Sequence, residues 1–496
     1  MRTLAILLVA LLLITTAAPS AEAQKIVAGS KRFTESYVLG EIAKKVLQDA
    51  GFKAEHRQGV GNTAILWQAL KRGDITLYPE YTGTISEEIL KIKGAMQPDA
   101  MKAALRKFNI GMAGELGFNN TYAITMRADK AQKLGIAKIS DLKNHPALRV
   151  GMTHEFLKRQ DGWEPLSIRY GLRLKNVRGI DHALGYAALA KEQIDLKDAY
   201  STDAKIAENK LVVLEDDLSF FPQYKAVFLY RLDMPAGALA ALRKLEGTID
   251  EERMIRLNAE AEKTKNYTLA ASLYFGAEAR QTAESQTESY SSQLLRWTAR
   301  HLQLVGLSLL LAILVGVPLG IWASRPGIVS QIILGTVGVI QTIPSLALLA
   351  LMVPFLGISP LTAILALFLY SLLPIVRNTA TGLQDIPAPL RESAAALGLE
   401  PGAQLTKVFL PMASRAILAG IKTSAIINVG TATIAALIGA GGLGEPIISG
   451  LSLNDDATIL RGAIPAAGLA LVVQFGFDFL DRLLIPKGLR LPVRRG

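Results

Sequence analysis

The sequence IVSQIILGTVGVIQTIPSLALLALMVPFLGISPLTAILALFLYSLLPIV, at residues 328–376, decides the fold, because none of its 49 residues is charged. A membrane-spanning helix needs about 20 apolar residues, so this run is too long for one crossing. Prolines and a glycine at 354–360 interrupt it and predict two spans, near 328–353 and 361–376. The run excludes a purely soluble protein.

Three further apolar segments flank this run, near 302–323, 416–437 and 462–484. Together, the segments predict five membrane spans. Residues 294–496 hold 22 charged side chains, whereas residues 1–293 hold 75. The chain therefore divides into a membrane half and a half with the charge content of a soluble domain.

Basic side chains are concentrated in two parts of the membrane half, 377–415 and 485–496. Because cytoplasmic loops are enriched in Lys and Arg, we expect both parts inside, with the uncharged loop 354–360 and the soluble half outside. This bias explains the net charge of +11 without nucleic acid, and membrane lipid is the expected partner. Lys422 is expected to reach the headgroups. The charges at 478–482 predict an interfacial cluster, with an ion pathway as the alternative.

The N-terminus has the pattern of an export signal. Arg2 precedes an apolar run at 4–14, and the small residues Ala21 and Ala23 frame a cleavage site. We therefore predict a signal peptide at 1–23, cut after Ala23. An uncleaved membrane anchor is the alternative, and either one would export the segment that follows.

Short apolar strands alternate with helical patterns through residues 24–276, as in the apolar run 25–28 and the helix predicted at 35–50. Such alternation is typical of an α/β domain, and the length allows two lobes around a cleft. A stretch rich in Ser, Thr, Gln and Glu indicates a linker. The predicted domains are 24–276 for the soluble domain, 277–293 for the linker and 294–496 for the membrane domain.

Several kinds of chemistry are absent from the sequence. Cysteine does not occur, which excludes disulfides and thiolate sites, and the five histidines lack the spacing of metal ligands. The dipeptide Gly-Lys does not occur either, so the phosphate-binding loop G-x-x-x-x-G-K-[ST] is missing. We predict no enzyme activity, no catalytic residue, no metal and no cofactor, and expect any ATPase to be a separate chain.

The predicted cytoplasmic segment at 391–411 reads RESAAALGLEPGAQLTKVFLP. It resembles the coupling signature of ABC importer permeases, Glu-Ala-Ala, three residues, Gly, nine residues, Ile-x-Leu-Pro, with mild departures at Ser393 and Val408. The resemblance implies that a cytoplasmic ABC ATPase docks here. The implied docking residues are Glu392, Ser393, Ala394, Gly398, Leu410 and Pro411. A plain amphipathic helix at the membrane interface is the alternative.

Other runs of the membrane half resemble the permeases of osmoprotectant importers, which carry glycine betaine, carnitine or choline. These runs are QTIPSLALL at 341–349, LLPIVRNT at 372–379 and GAGGLG at 439–444. The resemblance covers nearly all of the membrane half. It implies an all-α permease domain of five spans that pairs with a second copy around one pathway.

The soluble half resembles the binding proteins that serve such permeases. The runs that carry this resemblance are GSKRFTE at 29–35, YPEYTGT at 78–84, NTY at 120–122, RQDG at 159–162, YSTD at 200–203 and FPQY at 221–224. It implies a two-lobe α/β periplasmic-binding-protein fold that holds a quaternary ammonium. Arg32 departs from the family, which often has Asn at this place.

Position by position, this resemblance assigns a cage for the ammonium to Tyr81, Tyr122, Tyr200 and Tyr224, and a clamp for a carboxylate to Lys31, Thr84 and Arg159. Tyrosine faces attract a methylated ammonium by cation–π interaction, and basic side chains hold a carboxylate by charge-assisted hydrogen bonds. The clamp favours a zwitterion, because choline would meet uncompensated positive charge. Packing is the alternative role for any single tyrosine.

These observations together predict an importer subunit of the plasma (inner) membrane that captures a betaine-type solute in the periplasm. Another betaine, choline, carnitine or ergothioneine is the alternative solute. A membrane-anchored sensor is the alternative from another class, but a sensor would not need the coupling segment. The sequence leaves open which solute is preferred, whether osmolarity regulates uptake and whether the permease pairs with itself.

Overall fold

The computed structural model covers most of the chain, and the predicted signal peptide at 1–23 and the basic segment 485–496 lie outside the described residues. The described residues are 25–92, 96–285, 289–453 and 455–484. Within them, the soluble half contains two five-stranded sheets and the membrane half is helical.

The strands all lie in the soluble half. In chain order they are β1 (Ile26–Lys31), β2 (Ala54–Gly61), β3 (Leu77–Tyr81), β4 (Ile110–Met112), β5 (Tyr122–Arg127), β6 (Arg149–Thr153), β7 (Asn176–Ile180), β8 (Leu196–Tyr200), β9 (Leu211–Val213) and β10 (Ala226–Arg231). The helices of this half are α1 (Thr34–Asp49), α2 (Thr63–Arg72), α3 (Thr82–Thr84), α4 (Pro98–Arg106), α5 (Ala128–Leu134), α6 (Trp163–Tyr170), α7 (His182–Ala190), α8 (Lys205–Glu208), α9 (Ala236–Arg243), α10 (Glu251–Thr264), α11 (Tyr267–Phe275) and α12 (Ala277–Ser285).

The first lobe is built on a sheet with the strand order β2-β1-β3-β10-β4. β1 runs parallel to β2 and β3, whereas β10 is antiparallel to β3 and β4. All six residues of β1 are buried, as expected for a central strand that is covered on both faces. The register pairs Tyr81 with Ala226, so β3 ends beside the segment that enters β10.

The second lobe is built on a sheet with the order β7-β6-β8-β5-β9. The chain enters this lobe after β4 and returns to the first lobe through β10, so two crossover segments join the lobes. In the antiparallel pair of β5 and β8, Tyr122 lies opposite Tyr200. The predicted two-lobe α/β fold is confirmed.

The membrane half contains long helices joined by short ones. In chain order they are α13 (Tyr290–Ala323), α14 (Ile328–Thr342), α15 (Ser345–Leu356), α16 (Pro360–Gln384), α17 (Ala388–Ala396), α18 (Pro401–Gln404), α19 (Leu410–Thr431), α20 (Gly444–Leu453) and α21 (Asp456–Leu484). Among the described residues, four segments are long and apolar enough to cross a membrane: α13, α16, 401–438 and α21. The predicted linker 277–293 holds α12 and the start of α13.

The structure divides the predicted span near 328–353 into two helices. α14 and α15 meet at a bend of 97°. Pro344 has no backbone N–H and holds Ile343 in an extended conformation, and the Tyr370 hydroxyl donates a hydrogen bond to the free carbonyl of Ile343. The membrane half therefore has five crossings if this bent pair is one broken span, and four if it turns back.

Contacts with the soluble half bear on that choice. The backbone N–H of Ile358, in the loop after the bent pair, donates to the Asp74 carboxylate at 3.2 Å, so this loop lies on the same side of the membrane as the soluble half. α13 starts on that side and carries the chain to the other side before α14 begins. The bent pair must then return the chain across the membrane, which favours one broken crossing.

Candidate functional site

An open cleft of about 520 Å³ lies between the two lobes. All seven residues that the resemblance assigns to the ligand line this cleft: Lys31, Tyr81, Thr84, Tyr122, Arg159, Tyr200 and Tyr224. They come from both sheets, from α3, from the loop after β6 and from the second crossover segment, just before β10. The fold thus gathers residues that are up to 193 positions apart in the chain.

Strand register places the aromatic side chains. Tyr122 and Tyr200, opposite each other on β5 and β8, have ring centroids 5.3 Å apart. The ring of Tyr224 meets the ring of Tyr122 edge-on, at 5.6 Å and 83°. Tyr81 is buried at the end of β3. Three of the four rings therefore form adjoining walls, and Tyr81 lines the same cleft.

Phe33 is a further aromatic side chain of the cleft that the sequence reasoning did not assign. Its ring centroid lies 5.0 Å from that of Tyr200 and 6.3 Å from that of Tyr81, so it links the walls contributed by the two lobes. Phe33 stands in the GSKRFTE run at 29–35, and an unassigned aromatic residue in that run was the available signal.

Burial raises the pKa of the hydroxyl of each cage tyrosine: Tyr81, Tyr122, Tyr200 and Tyr224. The phenols therefore stay neutral at physiological pH. A cation in this cleft would be attracted by the ring faces and not by a phenolate charge.

The basic side chains of the clamp already have carboxylate partners. Lys31 Nζ lies 2.5 Å from Glu80 Oε1, and Arg159 donates through Nε and Nη2 to Asp161 at 2.6 and 2.5 Å. This corrects the argument against choline, because the positive charges are compensated within the protein. Glu80 and Asp161 both stand inside quoted runs, but their pairing depends on tertiary contacts.

The clamp is also tied to the cage. Arg159 Nη2 lies 3.4 Å from the Thr84 hydroxyl, which brings the two lobes together at this end of the cleft. The Tyr224 hydroxyl donates to Asp161 at 2.6 Å, and the Arg159 guanidinium lies 5.3 Å from the ring centroid of Tyr122. Asp161 therefore positions a basic group of the clamp and a wall of the cage together.

Glu35, on α1, is a second residue that the sequence reasoning missed. Its carboxylate is buried and accepts hydrogen bonds from the Tyr81 hydroxyl at 2.5 Å and from Asn120 at 2.8 Å. The Thr202 hydroxyl and the Asn258 amide also donate to it, the latter at 3.2 Å. Because Thr202 follows β8 in the second lobe, one carboxylate joins both lobes directly beside a cage tyrosine.

His182 supports Tyr200 from the second lobe. The two rings stack with centroids 4.7 Å apart and an angle of 25°, and His182 Nε2 lies 3.0 Å from Asp203. Asp203 also accepts the backbone N–H of Tyr200 at 3.0 Å. The position of the Tyr200 ring is therefore held from behind and through its backbone.

The coupling segment forms a separate surface at the far end of the membrane half. Glu392, Ser393 and Ala394 lie on α17, and Leu410 and Pro411 begin α19. In the turn between these helices, Gly398 has the left-handed φ of +68°, with no atom within 4 Å of where a Cβ would stand. The adjacent side chain of Leu397 is 77% exposed.

Two other predicted features can be located. Lys422 of α19 pairs with Asp478 of α21 at 2.5 Å, so this lysine links two helices through one residue of the predicted charge cluster at 478–482. Within the parts of the chain that the structure describes, no group of three or more His, Cys, Asp or Glu residues is placed to hold a metal ion.

Two family models match the chain. Residues 24–275 match the substrate-binding domain of ABC-type glycine betaine transport systems, and residues 316–488 match the inner-membrane component of binding-protein-dependent transport systems. Together they cover most of both halves. Permeases of this second family work with an ATPase subunit, and both families are transport families.

Individual proteins are similar to one half or to part of both. The choline transport system permease protein of Bacillus subtilis (strain 168) is 41% identical over 203 residues, which is 41% of this chain and 94% of that protein. The ergothioneine transport permease/ergothioneine binding protein of Helicobacter pylori (strain G27) is 34% identical over 252 residues, 49% of this chain and 46% of that protein. A crystal structure of a glycine betaine/carnitine/choline ABC transporter is 30% identical, with a TM-score of 0.44, and covers 50% of this chain and 97% of that one.

The permease domain places the chain in the inner membrane, and the binding domain lies outside the cytoplasm. The two-lobe cleft and the apolar helices agree with the two matched models. The chain belongs to the ABC importers of the glycine betaine transport type, with a substrate-binding domain and a permease domain fused in one polypeptide.

Proposed function

We propose that this chain captures a methylated quaternary ammonium solute of the glycine betaine type outside the cell and passes it through its own membrane half. The observation that carries the proposal is the cleft in which four neutral tyrosine rings meet Lys31, Thr84 and Arg159. A trimethylammonium group cannot donate an N–H hydrogen bond, so aromatic faces are its natural partners. The relatives named for choline and ergothioneine support this solute class.

The clamp keeps donors for a solute carboxylate. An ammonium has three N–H groups, and Glu80 engages one from Lys31. A guanidinium has five. Asp161 engages two from Arg159, and the Thr84 hydroxyl lies 3.4 Å from Nη2, so Nη1 keeps its donors, with the Glu155 carboxylate 3.6 Å away. Because a carboxylate adds its own negative charge and a second acceptor oxygen to these charge-assisted hydrogen bonds, it gains more here than the single neutral hydroxyl of choline would. A zwitterion is therefore the preferred solute.

Choline is the second candidate, and the paired charges of the clamp favour it. Glu80 and Asp161 cancel the positive charges that would otherwise repel a simple cation. Choline would then lose the carboxylate contacts without meeting a net repulsion. The difference in affinity between the two solutes measures how much the clamp contributes.

A separate cytoplasmic ATPase drives transport by docking on the surface that carries Glu392, Gly398 and Pro411. Two copies of the permease half pair around one pathway. The coupling residues support the first statement because Glu392, Ser393, Gly398 and Pro411 are exposed, whereas Leu410 is half-buried and Ala394 is buried.

Titration calorimetry on the full chain in detergent tests the proposal. We expect glycine betaine or another carboxylate-bearing betaine to bind more tightly than choline, with carnitine and ergothioneine compared under the same conditions. Choline binding more tightly than every betaine would overturn the zwitterion preference. If no methylated ammonium bound at all, the whole solute class would be wrong.

A further inference from the structure

The outer end of the bent pair is held by a side chain from the soluble half. The last carbonyl groups of a helix lack partners within the helix, and at the end of α15 Arg72 donates to three carbonyls, of which that of Val353 also accepts the backbone N–H of Gly357 at 2.9 Å. Arg72 Nη1 lies 2.9 Å from the Val353 carbonyl and also contacts that of Pro354, and its Nη2 lies 2.9 Å from that of Phe355. A cation at this position also offsets the negative end of the helix dipole.

The loop that follows α15 is bound by the same part of the first lobe. Asp74 accepts the backbone N–H of Ile358 at 3.2 Å, and Arg57 donates to the Ile358 carbonyl at 3.3 Å. Gly357, between them, has a φ of +77°, and a Cβ there would lie 2.7 Å from a carboxylate oxygen of Asp74. The hydrogen bonds to the Ile358 backbone are one sign of a specific contact. The glycine at 357, where a side chain would meet Asp74, is an independent second sign.

Ile358 is only 2% exposed, although it lies in a loop outside the predicted spans. It belongs to one packed apolar cluster that continues from the first lobe into the membrane half and includes Leu66, Leu70, Leu348 and Val353. The polar contacts of Arg72 and Asp74 therefore border an apolar contact. This combination, an apolar centre with a polar edge, is typical of specific protein interfaces.

A second contact of the first lobe supports the same orientation. Arg32, the departure from the family pattern, donates through Nη2 to the Leu437 carbonyl at 2.6 Å. The second lobe rests elsewhere, with α7 packed against α20. The hydrogen bonds that the described residues make with the end of the bent pair come from the first lobe.

We propose that Arg72, with Asp74 and Arg57, forms a latch that docks the first lobe on the bent pair of its own permease half and so positions the outer limb of that broken span. The latch works within one polypeptide, and its partner is a helix C-terminus and not an acidic side chain. The proposal rests on the importer function but on no particular solute.

The chemistry of Arg72 suits this partner. A guanidinium presents five donors in a planar fork, whereas an ammonium is a compact point charge, so lysine could not contact three carbonyls in the same way. The neighbouring Lys71 offers a matched comparison. Its Nζ lies 5.4 Å from the ring centroid of Trp67 and points to the lobe itself, although it stands on the same helix with the same charge.

The absence of cysteine from the natural chain permits a clean crosslinking test. In the full chain in detergent, Asp74→Cys and Ile358→Cys are combined and treated with a short bifunctional thiol reagent. Because Asp74 is replaced in this variant, the contacts of Arg72 and Arg57 remain to hold the docked lobe. We expect an efficient crosslink within one chain, several-fold less of it when Arg72→Gln is added, an intermediate yield with Arg72→Lys and no change with Lys71→Gln.

The outcomes separate the latch from the solute. An unchanged crosslink yield in both Arg72→Gln and Arg72→Ala would overturn the latch, and a crosslink found only between two chains would overturn its action within one chain. Glycine betaine titrations of the Arg72→Gln variant, with natural residues at 74 and 358, should match those of the unchanged chain, while uptake by the assembled transporter falls. If the unchanged chain bound no methylated ammonium, the solute proposal would fail, but the crosslink result would still decide on the latch.

Discussion

Tyr200 shows how a single side chain serves the cleft. Its ring stacks on His182, lies 5.0 Å from Phe33 and lies 5.3 Å from Tyr122. Its hydroxyl is neutral because burial raises its pKa. What the residue offers a cation is therefore the face of its ring.

We expect Tyr200→Ala to weaken glycine betaine binding by about tenfold or more, which corresponds to about 1.4 kcal/mol. Titration calorimetry measures this change. Tyr200→Phe is the matched control, because it keeps the ring and removes the hydroxyl, and it should retain most of the affinity. Equal losses in both variants would mean that the hydroxyl, and not the ring, holds the solute.

Glu35 holds the Tyr81 hydroxyl and joins the two lobes, so we expect it to affect solute binding. Each of the two carboxylate oxygens of Glu35 accepts two hydrogen bonds. Glu35→Gln replaces one of these oxygens by an NH₂ group, which would face two hydrogen-bond donors. We expect weaker solute binding and a lower midpoint of thermal unfolding, because the buried donors lose their acceptor. Normal affinity and thermal stability in the variant would show that this carboxylate neither positions Tyr81 nor joins the lobes.

The pH dependence of stability gives a second readout for Glu35. Burial raises its pKa above the ordinary value of 4.5, and its four hydrogen bonds work against that rise. A carboxyl group with a higher pKa in the folded state binds more protons when folded, so its contribution to the free energy of unfolding falls as pH rises through the window between the two values. The stability difference between the unchanged chain and Glu35→Gln should therefore decrease with rising pH above 4.5. An increase over this range would contradict the assigned pKa direction.

Among the elements, the bent pair of α14 and α15 and the helix α17 of the coupling segment differ in what they contact. α15 ends against the first lobe, whereas α17 presents exposed side chains at the other end of the membrane half. Pro344 permits the break between α14 and α15 in the first case, and Gly398, with its left-handed φ, turns the chain in the second. Both elements depend on a local backbone conformation that most residues do not adopt.

We expect Gly398→Asp to leave glycine betaine affinity unchanged and to reduce uptake sharply. The affinity is set in the other half of the chain, while the new charge stands on the surface proposed for the ATPase. Since Asn tolerates the left-handed conformation and carries no charge, Gly398→Asn is the control and should be milder. Uptake at the unchanged rate in Gly398→Asp, at equal amounts in the membrane, would remove this turn from the coupling path.

At the scale of the whole molecule, the fusion keeps the binding domain close to its permease. A tether raises the effective concentration of one binding partner at the other, and the latch gives the tethered domain a defined place to dock. The number of crossings decides on which side of the membrane every later segment lies.

Reporter fusions to truncated chains test the five crossings. A reporter after Arg391 should be cytoplasmic and one after Gly450 periplasmic, if the bent pair crosses the membrane once. The activity of a periplasmic phosphatase and the fluorescence of a cytoplasmic protein report the two sides. If the bent pair turned back, both positions would be reversed.

The order of residues alone established the division of the chain and most of the cleft. Uncharged runs such as 328–376 can be recognised because the membrane imposes a length and a composition on any segment that crosses it. The seven residues assigned to the ligand could be named because they stand in short runs that resemble a known family. Both kinds of signal are local in the sequence.

Folded contacts between distant residues established the rest. The pairing of Lys31 with Glu80, the position of Glu35 between the lobes and the reach of Arg72 to Val353 join residues 49 to 281 positions apart. No periodicity or motif records such a contact, because the distance between two side chains depends on how whole lobes and helices pack. The 97° bend has the same origin: Pro344 permits a break, but the angle is set by the helices and by the lobe against which the two limbs pack.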